Sequence, residues 1–224
     1  MANPADMANP QRALPVRALI VIDVQNDYDG GNLTIEYPVF SDSVQKVAAA
    51  MDAARRHGVK IVVVKMISPP TAKVFAAGTP GAEFHPEIAA GPFDHYIEKT
   101  LPSAFTGTDL ELWLRGNGID TVTIAGYMTH NCDLSTVIHA FHMGFDVEFL
   151  SDATGSVPYA NSAGEASARD IHHVMTVVFQ SRFAAVLTTD AWTSCLETGA
   201  LPERDDIPSS NRRALALRQE KVPA

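Results

Sequence analysis

Apolar and polar positions along this chain follow two rhythms. Short aliphatic runs such as Ala18-Leu19-Ile20-Val21-Ile22, Val59 to Met66 and Thr121 to Ala125 carry few polar interruptions, as strands covered on both faces do. Between them lie longer stretches with helical spacing and a closing glycine: near Ser43 to His57 before Gly58, near Asp109 to Asn117 before Gly118, and near Asn131 to Met143 before Gly144. Further strands are expected near Asp94 to Lys99, at Phe145 to Leu150 and at Ala184 to Thr188, with another helix near Ala163 to Val178. The strand opening at Ala18 closes on Asp23. Strands alternating with helices in this way predict an α/β fold, a three-layer α/β/α arrangement on a central, mostly parallel six-stranded sheet of Rossmann-like kind. In the helix near Asn131, Leu134, Val137, Ile138 and Phe141 recur at the spacing that would pin it to that sheet.

Composition narrows the classes. A chain of 224 residues, 46% hydrophobic and 19% charged, is long enough for one substantial core and ordinary enough to be globular. We expect a flexible segment over residues 1–16, a single domain over 17–202 and a charged tail over 203–224 that is either mobile or clasps a neighbouring subunit. Met1-Ala2-Asn3-Pro4 recurs as Met7-Ala8-Asn9-Pro10, which suggests an alternative start rather than a repeat unit. The net charge of −9 comes with no basic cluster, so nucleic acid is not an expected partner. No apolar stretch reaches ~18 residues, so neither is a membrane. Residues 1–16 lack the apolar stretch of a signal peptide, and two cysteines make no disulfide framework; the cytoplasm is the expected compartment.

Three positions carry chemistry. Cys132, in Gly126-Tyr127-Met128-Thr129-His130-Asn131-Cys132, stands where a predicted strand gives way to a predicted helix. Helix N-termini stabilise thiolates and neighbouring oxyanions through their unpaired N–H groups and partial positive charge. A buried core cysteine is the plain alternative. Asp23 ends the first strand, where the ligand crevice of an open α/β sheet lies, and suits a general base; a turn or helix cap is its alternative. Lys99 ends another strand-like stretch, where its ammonium can lower the pKa of a thiol and hold an anionic intermediate; alternatively it is one more solvated charge.

Asp-x-Gln-Asn-Asp (Asp23 to Asp27), Lys-x-x-x-Ser-Ala-Phe (Lys99 to Phe105) and Gly-x-x-Thr-x-x-Cys (Gly126 to Cys132), in this order, resemble the isochorismatase-like cysteine hydrolase superfamily. That superfamily includes nicotinamidases and N-carbamoylsarcosine amidohydrolases. The resemblance runs from about Ala18 to Thr189. It implies the isochorismatase-like hydrolase fold, a triad of Asp23, Lys99 and Cys132, and a homodimer or homotetramer acting on a small molecule. Cys132 would attack a carbonyl or amidine-like carbon, Asp23 would shuttle the proton, and Lys99 would stabilise the charged groups. A cis peptide is implied between Tyr127 and Met128, with the N–H groups of Met128 and Cys132 forming an oxyanion hole.

The expected reaction is hydrolysis of a C–N bond in a small amide, cyclic amide or carbamoyl compound through a thioester. Alternatives are a vinyl ether hydrolase, which would need Asp23 but not Cys132, and a non-catalytic binding protein on the same scaffold. No cofactor is implied. The Asp-x-His metal motif of nicotinamidases is missing after the second strand, where Val62-Val63-Val64-Lys65-Met66-Ile67-Ser68-Pro69-Pro70 stands instead, and Glu83-Phe84-His85 reads as a solvated loop; no metal is expected. Gln25, Glu36, Phe105 and Tyr127 are candidates for contact with the substrate, and the loop from Ser68 to Pro92 is expected to cover the site. His139, His142, His172 and His173 read as surface or partly buried histidines outside it.

Overall fold

A computed structural model of the chain describes residues 14–89 and 91–220. The expected flexible segment and the repeated tetrapeptide lie mostly or wholly outside them. Eight strands and seven helices follow in the order β1 (Arg17–Ile22), α1 (Phe40–Arg56), β2 (Lys60–Met66), α2 (Pro86–Ala89), β3 (His95–Lys99), α3 (Leu110–Gly116), β4 (Thr121–Tyr127), α4 (Leu134–His142), β5 (Asp146–Gly155), β6 (Tyr159–Asn161), β7 (Gly164–Ala166), α5 (Ala168–Val178), β8 (Ala185–Leu187), α6 (Thr189–Thr198) and α7 (Ile207–Glu220).

The six-stranded sheet has the order β3-β2-β1-β4-β5-β8, and every pairing in it is parallel. It is therefore wholly rather than mostly parallel. The uninterrupted apolar runs follow from this: β1 is buried along its whole length between two hydrophobic clusters, one for each face of the sheet. Leu19, Val21 and Val63 join Val44, Val47 and Met51 of α1 on one face, while Ile20, Ile22 and Val64 join Leu110, Leu114 and Val137 on the other. One buried polar network ties the layers together. Glu148 of β5 accepts hydrogen bonds from Arg17 (2.9 Å to Nη2), Thr123 (2.8 Å) and the Trp192 indole (2.9 Å), so its charge is both paired and satisfied.

Parallel pairing puts the carboxyl ends of β1 to β4 along one edge, and the chain is unusual there. Gly126, at φ 113°, lies so close to β1 that a Cβ would overlap the Ile22 carbonyl, and the register of β4 against β5 shifts at this point. Asp23 adopts the left-handed region at φ 50°, with its N–H donating to the Val64 carbonyl at 2.9 Å. The connection from 68 to 92 folds back over this edge. Asn26 N–H donates to the Glu83 carbonyl at 3.0 Å, and the Asp27 carboxylate accepts from Phe75 N–H at 2.6 Å.

One expectation needs correction, and two elements were not foreseen. Residues 159–166, expected to open a helix from Ala163, form the exposed β6-β7 hairpin, and α5 begins only after Ser167, whose hydroxyl accepts the Asp170 N–H at 3.1 Å. α6 was not expected at all. In the charged tail, 207–220 is helical, beginning after Asp206, which accepts the Ser209 N–H at 2.8 Å. Among the described residues, no helix is long and apolar enough to cross a membrane.

Candidate active site

Asp23, Lys99 and Cys132 meet at the carboxyl edge of the sheet although they come from separate segments. Asp23 follows β1, Lys99 closes β3 two strands away, and Cys132 lies in a π-helical turn, Thr129–Asp133, between β4 and α4. The Lys99 ammonium is 2.7 Å from Asp23 Oδ2 and donates to Cys132 Sγ at 3.2 Å. All three are sealed in, with relative exposures of 0%, 2% and 2%. The Tyr127–Met128 peptide is cis.

Burial governs the electrostatics. It pushes the Asp23 carboxyl above the ordinary carboxylate range, while the Lys99 ammonium pulls the other way. Lys99 itself is raised: desolvation works against its charge, but Asp23 and Cys132 together outweigh it. For Cys132, burial and then the Asp23 charge push the thiol well up, and Lys99 opposes them. Lys99 acts on the thiol in the expected direction, but desolvation and the Asp23 carboxylate outweigh it. The resting arrangement is a thiol beside a carboxylate–ammonium pair, with Asp23 a base of raised pKa.

Three of the four expected substrate contacts are engaged with other parts of the fold. Both amide N–H bonds of Gln25 go to backbone carbonyls, of Met66 at 2.9 Å and Ala82 at 2.7 Å, and its carbonyl accepts from Met66 N–H at 2.9 Å. Gln25 thus fastens the 68–92 connection to β2. Phe105 is 6% exposed and packs on Phe145 and His139 within the core. Tyr127 is fully buried between Tyr28 and Phe40, and its hydroxyl lies 2.8 Å from that of Ser43. Glu36 is exposed in its loop. Glu83 is paired with Lys65 at 2.8 Å, and His85 lies 3.4 Å from Asp29. Among the described residues, no three His, Cys, Asp or Glu side chains are grouped to hold a metal ion.

Aromatic groups that the sequence did not single out do approach the thiol. Tyr159 of the β6-β7 hairpin feels the charge at Cys132 in its raised phenol pKa, after burial, and its ring meets His130 edge-on at 4.9 Å. Tyr28, 1% exposed, is raised by burial and by Asp23, Cys132 and Asp133. Tyr28 directly follows the Asp-x-Gln-Asn-Asp motif and could have been noticed; Tyr159 could not, because its hairpin was read as the approach to a helix. His172, left out of the site, is buried with Nδ1 2.9 Å from the Thr129 hydroxyl, beside the nucleophile's turn.

The sequence model of the Isochorismatase domain matches residues 17–191. The chain belongs to the isochorismatase family. Its structure resembles that of a Burkholderia xenovorans LB400 protein assigned as an isochorismatase, with TM-score 0.91, 56% identity, and coverage of 92% of this chain and 100% of that one. It also resembles N-carbamoylsarcosine amidase from Thermoplasma acidophilum, with TM-score 0.65, 25% identity, and coverage of 78% and 96%. In sequence it is 29% identical to the nicotinamidase/pyrazinamidase of Mycobacterium tuberculosis over 163 residues, 63% of this chain and 88% of that protein. It is thus an isochorismatase-family hydrolase with nicotinamidase and amidase relatives.

Proposed function

We propose that this isochorismatase-family protein hydrolyses a C–N bond of a small amide, cyclic amide or carbamoyl compound through a thioester on Cys132. The observation that supports this reading is the buried chain of contacts from Asp23 through Lys99 to the Cys132 sulfur. In the first half-reaction the Cys132 proton passes to Asp23 as Sγ bonds to the carbonyl carbon. Asp23 then gives that proton to the nitrogen as the C–N bond breaks, leaving an amine and a thioester. In the second half, Asp23 takes a proton from water as its oxygen adds to the thioester carbon. The C–S bond breaks, the acid leaves, and the proton returns to sulfur.

A carboxylate of raised pKa suits a group that must both take and give a proton near neutrality. Lys99 keeps its proton throughout and offsets whichever neighbour is negative. The N–H groups of Met128 and Cys132 serve in this reading as the oxyanion donors. Tyr28 and Tyr159 near the thiol favour a flat, compact substrate.

The test is ammonia release from nicotinamide and N-carbamoylsarcosine, and ring opening of simple cyclic imides read by chromatography, with acid-quenched samples weighed by intact-protein mass spectrometry. Turnover with an acyl adduct on Cys132, both abolished in Cys132→Ala, is the expected result. Vinyl ether hydrolysis that survives Cys132→Ala, with no amide turned over, would overturn the reading.

A further inference from the structure

One buried acid takes no part in that scheme. Asp133 follows the nucleophile directly at the N-cap position of α4, without a side-chain capping bond, and it has no solvent exposure. Among the described residues, neither of its carboxyl oxygens has a hydrogen-bond partner. Other buried acids have compensation that it lacks: Glu148 receives three side-chain donors' hydrogen bonds and Asp27 receives the Phe75 N–H, while Asp23, whose oxygens likewise lack a well-aligned hydrogen bond, has the Lys99 ammonium at 2.7 Å. A carboxylate buried without a donor is too unfavourable for a marginally stable fold, so such a group keeps its proton.

Among the described residues, four titratable groups act on Asp133 or feel its charge. Asp23 and Lys99 reach it from the ends of β1 and β3, and burial followed by the Asp23 charge raises its pKa far above the usual range. The phenols of Tyr28 and Tyr127 feel its charge from the loop after β1 and from β4. Lys99 is the cation in this set, and it is already held between Asp23 and Cys132. The Tyr127 hydroxyl is held by Ser43 of α1.

We propose that Asp133 is a positioning residue of the catalytic centre, carried as a neutral carboxylic acid whose proton must stay in place for Cys132 to react. This rests on the reading of Cys132 as nucleophile. With Asp133 neutral, the charges of Asp23 and Lys99 cancel, and the thiolate formed during attack is opposed to a single ammonium as its proton moves to Asp23. With Asp133 ionised, the same ammonium faces an extra carboxylate, and forming the thiolate becomes uphill. The acid thereby sets the alkaline limit of the site.

The test uses no amide substrate, so it stands whether or not amides are turned over. Infrared spectra of wild type, Asp133→Asn and Asp133→Val, each checked for folding by circular dichroism, are recorded at neutral pH. Iodoacetamide labelling rates at Cys132 are then measured over graded pH for each. We expect a protonated-carboxyl stretch in wild type that both variants lack. We also expect labelling rates that match wild type at low pH and exceed it by about tenfold on the alkaline side, the effect of one like charge removed. The absence of that infrared band in wild type would overturn the proposal. So would superimposable labelling profiles, which would leave Asp133 a structural acid. If Asp133→Asn fails to fold, Asp133→Val carries both readouts.

Discussion

Replacing Asp23 by asparagine separates the base from the charge that it imposes on the thiol. Lys99 lies 2.7 Å from the carboxylate and 3.2 Å from the sulfur, so the carboxylate and any thiolate compete for one ammonium. After burial, the Asp23 charge is the largest influence holding the Cys132 proton in place, and Lys99 is the main one working against it. Unit charges about 4 Å apart at an effective dielectric near 20 interact by about 4 kcal/mol, or about three pK units, which bounds the effect from above. Asp23→Asn therefore lowers the thiol pKa by about one to three units and leaves the sulfur as the remaining partner of Lys99. Alkylation of Cys132 by iodoacetamide at pH 7 should rise about tenfold or more. Turnover of any amide substrate should fall by about 10²–10⁴, because the proton shuttle is gone. Peptide mapping of labelled Cys132 against Cys195, beside steady-state rates, reads both at once. If labelling falls together with turnover, Asp23 is activating the resting thiol, and the neutral-thiol picture is refuted.

Lys99→Met should suppress labelling at Cys132 and lower stability by about 3–5 kcal/mol in urea titrations, because the buried Asp23 carboxylate loses its partner; adding Asp23→Asn should recover part of that loss. His172 has its pKa lowered by burial to about 4 from 6.5. Between those values the unfolded chain binds a proton that the folded one does not, so stability should drop as pH falls through that window and drop less steeply in His172→Gln. Tyr159→Ala, at an exposed hairpin position, should raise KM with little change in melting temperature; an unchanged KM with a large loss of stability would place the ring in the fold rather than at the substrate. Gly126→Ala should destabilise by more than about 3 kcal/mol, since β1 and β4 cannot separate at Ile22 without breaking their pairing.

The layers of the fold are legible in the sequence wherever burial alone dictates the pattern. Strands covered on both faces are read from their mainly aliphatic runs, and three helices that pack on them, α1, α3 and α4, end where Gly58, Gly118 and Gly144 take a left-handed turn. Asp23 and Cys132 are legible for a related reason: a polar residue that breaks such a run at a strand's carboxyl end has few places to go except the crevice. Side-chain direction is a different matter. Gln25, Phe105 and Tyr127 sit inside the motifs, yet each is turned towards the fold, because neighbours distant in sequence, Ala82, Phe145 and Ser43, claim them. The β6-β7 hairpin is short, small-residued and exposed on both strands, so it offers no alternation to read and its Tyr159 goes unseen.

Asp133 is the sharpest case. An acid in the first turn of a helix reads as a solvated partner of the helix dipole, and nothing in local spacing distinguishes that from an acid sealed against a catalytic ion pair. The difference comes from burial and from the carboxyl edges of β1 and β3, whose Asp23 and Lys99 act on its charge. The polarity of the site is therefore set by four residues from three chain segments, and its net charge by one proton whose place on Asp133 only the assembled fold determines.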